Sequence, residues 1–175
     1  MAHHSFVQFP GEVKPVETLD SRDSRFAAVE ADLGYSFAGQ IRIGGKYVSV
    51  VRHGDQAFVS GQVPRVGDEV VVTGSVGKDV SLAQGQRAAK VCAMRALALL
   101  RQSLGSLDRI ARVLRVTVYV KSAQGFTQQS EVADGVTEVL YAVLGEAGMP
   151  TRTSVGVSEL PKNASVEVDL ICAVQ

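Results

Sequence analysis

The sequence predicts an α+β domain, one β-sheet with two helices packed on one of its faces. Three observations carry that reading. Two stretches, SLAQGQRAAKVCAMRALALLRQSLG and QQSEVADGVTEVLYAVLGEAG, repeat apolar residues at the three- and four-residue spacing of a helix. Around them lie short runs that alternate, or concentrate β-branched residues, as strands do. The pieces follow the order strand, strand, strand, helix, strand, helix, strand, strand, and no composition shift within the 175 residues separates them into two units.

The opening 23 residues hold Pro10, Gly11, Pro15 and the run DSRDSR and read as irregular, with a short helix expected from Arg25 to Leu33. KYVSVVRHGDQAFVSGQVP then carries two β-rich runs about His53-Gly54-Asp55, a hairpin signature. EVVVTGSVG reads as a third strand before a glycine-marked turn. The first long helix is expected to start at Val80 or Ser81, where the serine oxygen can cap first-turn amides, and to stop at Gly105. Its apolar face is formed by Leu82, Ala89, Cys92, Ala93, Ala96, Leu97 and Leu100. IARVLRVTVYVKS alternates, which puts Leu114, Val116, Val118 and Val120 on a dry face and Arg115, Thr117, Tyr119 and Lys121 on the other. The second helix presents Val132, Val136, Val139, Leu140, Val143 and Leu144. Gly135 within it costs about 1 kcal/mol against alanine, so close packing or chance must account for it. TRTSVGV and SVEVDLICAV supply the last two strands, joined by ELPKNA.

Two helices cover one sheet face, and nothing of comparable size is left for the other. That other face mixes Val155, Val157, Ile171 and Ala173 with Thr117, Tyr119 and Glu167, which points to identical neighbours arranged about a closed symmetry axis.

Composition narrows the function. The apolar fraction is 46%, enough for a core, and 18 Lys and Arg balance 18 Asp and Glu. No basic block tracks a phosphate backbone, so nucleic acid is not an expected partner. Apolar runs are too short or interrupted to cross a bilayer, and MAHHSFVQFPGE lacks the basic front and apolar stretch of a secretory signal. Cys92 and Cys172 read as reduced, buried small hydrophobes, which fits the cytoplasm. The three histidines, His3, His4 and His53, form no metal-ligand pattern, and His3 and His4 read as a mobile terminus.

Four features bear on chemistry. Arg152 shares strand parity with Ser154 and Gly156, whose small size leaves space beside a guanidinium able to grip a carboxylate with two parallel hydrogen bonds. A surface arginine is the plain alternative. Glu167, with Asp169 at the same parity, is either a solvent-facing acid or an acid/base group in a half-dry cleft. Gly61 inside a strand either admits a ligand to the backbone or marks a bulge. Tyr47, like Tyr119 and Tyr141, belongs to a pocket edge or to rim packing. Ser154 has no evident base, and the GSVG turn lacks the ending of a phosphate-binding loop.

The segments YVSVVRHGDQAFVSGQVP, VTVYVKSAQGF and, most specifically, RTSVGVSELPKNASVEVDLICAV resemble those of the RidA/YjgF family, the reactive intermediate deaminases. The helix VSLAQGQRAAKVCAMRALA and the leading extension are closest to its longer "endoribonuclease, chorismate-mutase-like" branch. The resemblance spans Tyr47 to Val174, which divides the chain into an extension over 1–45 and a domain over 46–175. It implies a chorismate-mutase-like fold with a mixed sheet, assembled as a homotrimer with clefts between subunits. It implies hydrolysis of 2-aminoacrylate and related 2-imino acids to 2-keto acids and ammonia, without metal or cofactor. On that resemblance Arg152 holds the substrate carboxylate, Glu167 positions water, and Gly61 and Tyr47 line the cleft. Ser154 stands where the family often has cysteine, and Ser130 where many deaminases have asparagine. The rivals are a non-catalytic trimer that binds small carboxylates, a ribonuclease, and a chorismate mutase; the last two ask for more cationic or basic groups than these positions offer.

Overall fold

The computed structural model describes residues 21–39 and 41–175, so the reading of His3 and His4 lies outside the described residues. Helix α1 spans Arg22–Leu33, three residues earlier than expected, because Ser21 caps it: its hydroxyl oxygen accepts from the Ser24 amide at 3.1 Å. Strands β1 (Val50–His53) and β2 (Gln56–Gln62) form the expected hairpin, with His53 opposite Gln56. EVVVTGSVG departs from expectation. Only Glu69–Val70 is strand (β4), paired with Arg65–Val66 (β3) in a separate two-stranded ribbon. Gly74 and Gly77 take positive φ of 107° and 92°, and the Asp79 carboxylate accepts from the Ser75 amide at 3.0 Å, so the chain turns instead of extending.

Helix α2 (Leu82–Leu104) starts after Ser81 in a reciprocal capping box with Gln84 and ends at Gly105, as the sequence indicates. Such a cap is worth about 1 kcal/mol. Strand β5 (Ile110–Lys121), helix α3 (Gln129–Leu144), and strands β6 (Thr151–Val157) and β7 (Val166–Val174) complete the fold. The main sheet has the order β1-β2-β7-β5-β6. It is mixed, since β6 runs parallel to β5 and the other neighbours are antiparallel.

Both long helices lie on one face, with α2 against β7 and β2 and α3 against β6 and β5. The core is built from Val116, Val118, Val120, Val166, Val168 and Leu170 of the sheet, meeting Leu97, Leu100, Val136 and Leu140. Each such side chain contributes roughly 1.5–3 kcal/mol through burial. The expected face of β5 is correct from Val116 onward and shifts before it: Val113 is buried and Leu114 exposed, because a bulge between Val113 and Arg115 interrupts the alternation against β7. Helix α2 is also drier than one stripe predicts. Every residue from Val91 to Leu100 is buried. Helix α1 and the segment after it close the side away from the sheet, with Phe26 under the Arg101 guanidinium and Arg87 donating to the Leu33 carbonyl at 2.7 Å.

The second sheet face carries Val51, Phe58, Ile171, Tyr119, Val155 and Glu167, and none of the described elements lies over it. Phe58 is 38% and Val155 40% exposed.

Close approach explains Gly135. A Cβ there would run into the Gln86 carbonyl on α2 and lie 3.3 Å from Ala89 Cβ. Gly135→Ala therefore forces α2 and α3 apart, and thermal unfolding should show a loss of about 1–3 kcal/mol despite alanine's better helix propensity.

Candidate functional site

The pleat decides how the sequence-nominated residues group. Arg152 on β6 lies opposite Val116 of β5, whose side chain enters the core under the helices. Glu167 on β7 lies opposite Tyr119, one step out of phase, on the uncovered face. Within one chain Arg152 and Glu167 therefore project from opposite faces of the sheet, and the structure gathers the six nominated residues into two clusters.

The first cluster belongs to β6 and the start of α3. Arg152 Nη1 donates to Asp134 Oδ1 at 2.8 Å and to Thr137 Oγ1 at 3.2 Å, while Nη2 donates to the Ser130 carbonyl at 3.3 Å. Ser130 and Ser154 place their hydroxyls 3.3 Å apart beside it. Nε and the second Nη2 hydrogen have no hydrogen-bond partner among the described residues, which leaves one edge of the guanidinium fork for a planar anion. Asp134 and Thr137 were missed in the sequence. Their signal was positional, since residues 130, 134 and 137 lie on one helix face.

Tyr47, Gly61 and Glu167 make the second cluster and line a cleft of about 240 Å³ with Gln62, Arg95 and Lys162. At Gly61 the structure has the bulge, and the bare backbone is approached by a side chain of the same chain. The β2–β7 register is irregular between Val59 and Gln62, and a Cβ at Gly61 would collide with the Glu167 carboxylate, which leans across the bare backbone. Burial, and then Asp169 at the same strand parity, push the Glu167 carboxyl above the ordinary 4.5. Tyr47 stands at the mouth, half exposed. Asp169 accepts a hydrogen bond from the Tyr119 hydroxyl at 3.1 Å.

Arg95 is the other residue the sequence reading passed over. It is a single cation in the run CAMRALALL, and it is buried. Its Nε donates to Gln62 Oε1 at 2.8 Å, Nη2 to the Arg42 carbonyl at 2.6 Å and Nη1 to the Arg65 carbonyl at 3.4 Å. One side chain of α2 thus pins the cleft's floor and rim. Burial, and next the Arg65 charge, draw its guanidinium below the usual arginine value. Among the described residues no group of three or more His, Cys, Asp or Glu is placed to hold a metal ion, and no helix is long and apolar enough to cross a membrane.

Comparison with known proteins gives this arrangement its relatives. The Endoribonuclease L-PSP family profile matches residues 39–174. Protein TCP17 of Trypanosoma cruzi is 38% identical over 148 residues, covering 84% of this chain and 92% of its own. A 2-iminobutanoate/2-iminopropanoate deaminase of Dermatophagoides farinae is 26% identical over 132 residues, covering 75% of this chain and 88% of its own. Among solved structures, Atu1372 of Agrobacterium tumefaciens, a protein of unknown function, superposes with a TM-score of 0.79 at 36% identity, over 87% of this chain and 94% of that one. The mixed sheet with its helices on one face is the chorismate-mutase-like fold, and the chain belongs to the RidA/YjgF family, also called Endoribonuclease L-PSP.

Proposed function

We propose that this protein hydrolyses 2-imino acids to 2-keto acids and ammonia, in clefts formed where copies of the chain meet as a homotrimer. The observation that carries this reading is the opposite projection of Arg152 and Glu167. One offers a free guanidinium edge at an edge strand, the other a carboxyl in a half-dry cleft, and only a second copy can bring the two together. The exposed apolar residues on the same sheet face as Glu167, Phe58 and Val155 among them, give such a neighbour something to bury. A relative named as an imine deaminase supplies the substrate class.

The chemistry requires little machinery. The imine carbon is already electrophilic, so orientation and proton transfer do the work. Arg152 of one copy holds the substrate carboxylate. Ionised Glu167 of the next accepts a proton from water as its oxygen bonds to the imine carbon, giving a carbinolamine. Counted from the protonated imine, that proton passes from Glu167 to nitrogen, and the carbon–nitrogen bond breaks with its electron pair leaving on ammonia. The hydroxyl gives its own proton to the freed Glu167 carboxylate as the keto group forms, and that proton then leaves with ammonia as ammonium. One water is consumed for each ammonia released. Ser154 and Ser130 border the Arg152 half, while Tyr47 and the Gly61 backbone border the Glu167 half. The second reading is a carboxylate-binding trimer without catalysis, which uses the same free edge of Arg152 and leaves Glu167 without a role in chemistry.

Keto-acid release from an imine generated in place should fall about 100-fold in kcat/KM for Arg152→Ala, with the oligomer's mass unchanged, because two charge-assisted hydrogen bonds are lost. Full activity in that variant sinks the assignment. Trimers refolded from equal amounts of Arg152→Ala and Glu167→Gln chains should regain roughly a quarter of parental activity, since sites shared between chains re-form at random. A mixture as inactive as its components places both residues of each site on one chain.

Linkage gives Glu167 its own test. Its native pKa is raised, so the folded state holds the proton more tightly, and stability falls as pH climbs from the ordinary 4.5 through the native value. Glu167→Gln should therefore melt higher than the parent at about pH 7.5, with the difference closing near about pH 4. Equal melting temperatures across that range contradict the raised value.

A further inference from the structure

The cleft beside Glu167 is more cationic than a monocarboxylic substrate requires. Arg42, Arg65, Arg95 and Lys162 all line it, against Glu167 alone. Asp68 answers Arg42 at 3.1 Å and Arg65 at 3.0 Å. The three acceptors of Arg95 are an amide oxygen and two backbone carbonyls, so its charge has no carboxylate partner among the described residues, although it is only 6% exposed. A buried charge without a counter-ion is costly, and an anion entering the cleft supplies one. Lys162, exposed to solvent, also forms no ion pair among the described residues. It sits at φ 57°, followed by Asn163 at φ 59°, left-handed backbone that residues other than glycine seldom adopt. That turn is fastened on two sides: Asn163 Oδ1 accepts from Lys121 Nζ at 2.7 Å, and its carbonyl accepts from the Gly74 amide at 2.9 Å. The fold thus spends strain to hold a lysine at the wall of this cleft. Arg152 shows the reverse, its charge being met by Asp134 within the chain.

We propose that the Glu167 cleft binds a second acidic group of the substrate, Lys162 contacting it and Arg95 supplying the uncompensated positive field, so that 2-imino acids with a side-chain carboxylate are the preferred class. This rests on the deaminase reading for the word substrate. Arg152 takes the carboxylate next to the imine carbon, Glu167 faces that carbon, and the side chain then extends into the space walled by Lys162. A methyl group there leaves both charges unanswered. A carboxylate meets them with charge-assisted hydrogen bonds.

Butanedioate and butanoate differ only in the terminal group and do not react, so titration calorimetry of the assembled full-length protein with each isolates that group. Butanedioate should bind about tenfold more tightly at low salt. Lys162→Asn removes the contacting charge while tolerating left-handed backbone, and should cut the ratio of the two affinities about threefold, the Arg95 field remaining. Equal affinities in the parent overturn the proposal, as does an advantage that Lys162→Asn leaves undiminished. The same preparations are assayed for hydrolysis of imines formed by amino-acid oxidases from acidic and from small neutral amino acids. Hydrolysis without preference for the acidic imine defeats this proposal alone. A butanedioate advantage reduced in Lys162→Asn, with no imine hydrolysed, upholds the second acidic site and defeats the deaminase reading.

Discussion

Side chains leave a strand alternately to either side, and the described helices of this chain lie on only one side of its sheet. Much of the molecule's character depends on that constraint. Valines and leucines at one parity of β5, β6 and β7 reach α2 and α3 and form the core. Residues at the other parity stand on a surface that is neither polar enough for water nor covered by the described part of the chain. Arg152 falls among the first set, at an edge where the helix layer thins, and α3 answers it with Asp134 and Thr137. Glu167 falls among the second. Two residues on strands that flank β5 in one sheet are divided by the pleat, and under the proposed function this division makes assembly a condition of catalysis.

The legible parts of the fold were those set by local rules. Ser81, Gln84 and Gly105 announce both ends of α2, and His53-Gly54-Asp55 announces the hairpin, because caps and tight turns depend on residues a few positions apart. The bulge in β5 was not legible, since it arises where β5 meets β7, and alternation taken along one strand places Leu114 inward. EVVVTGSVG has the composition of a strand, but its glycines and Asp79 build a turn that a count of valines does not register. Of the site, Arg152, Glu167 and Gly61 stood out as polar or missing side chains in apolar strands. Asp134 did not, because an aspartate on a helix looks solvent-facing until the strand beneath it is known. Arg95 could have been found: a cation among small apolar residues in the middle of a long helix must satisfy its hydrogens somewhere, and here it does so on the backbone that frames the cleft.

The two clusters also differ electrically in a way that composition conceals. A net charge of zero conceals a guanidinium paired at 2.8 Å on one side and, on the other, a cleft where Arg95 and Lys162 meet no carboxylate among the described residues. The raised Glu167 carboxyl belongs to the same picture. Burial dominates its surroundings, with a second carboxylate nearby, and the neighbouring arginines do not reverse the effect.

Helix α1 comes early in the chain, yet its anchors come late. The Arg22 amide donates to Asp108 at 3.3 Å, Ser106 donates to Asp23 at 2.6 Å, and Phe26 packs under Arg101. On the ribosome, α1 leaves the exit tunnel long before the turn between α2 and β5 exists to receive it. A single helix of 12 residues is not stable by itself in water. Helix α1 therefore waits, unfolded and open to chaperones, until Arg101, Ser106 and Asp108 have been made, and its docking then closes the outer side of a core whose centre was laid down after it.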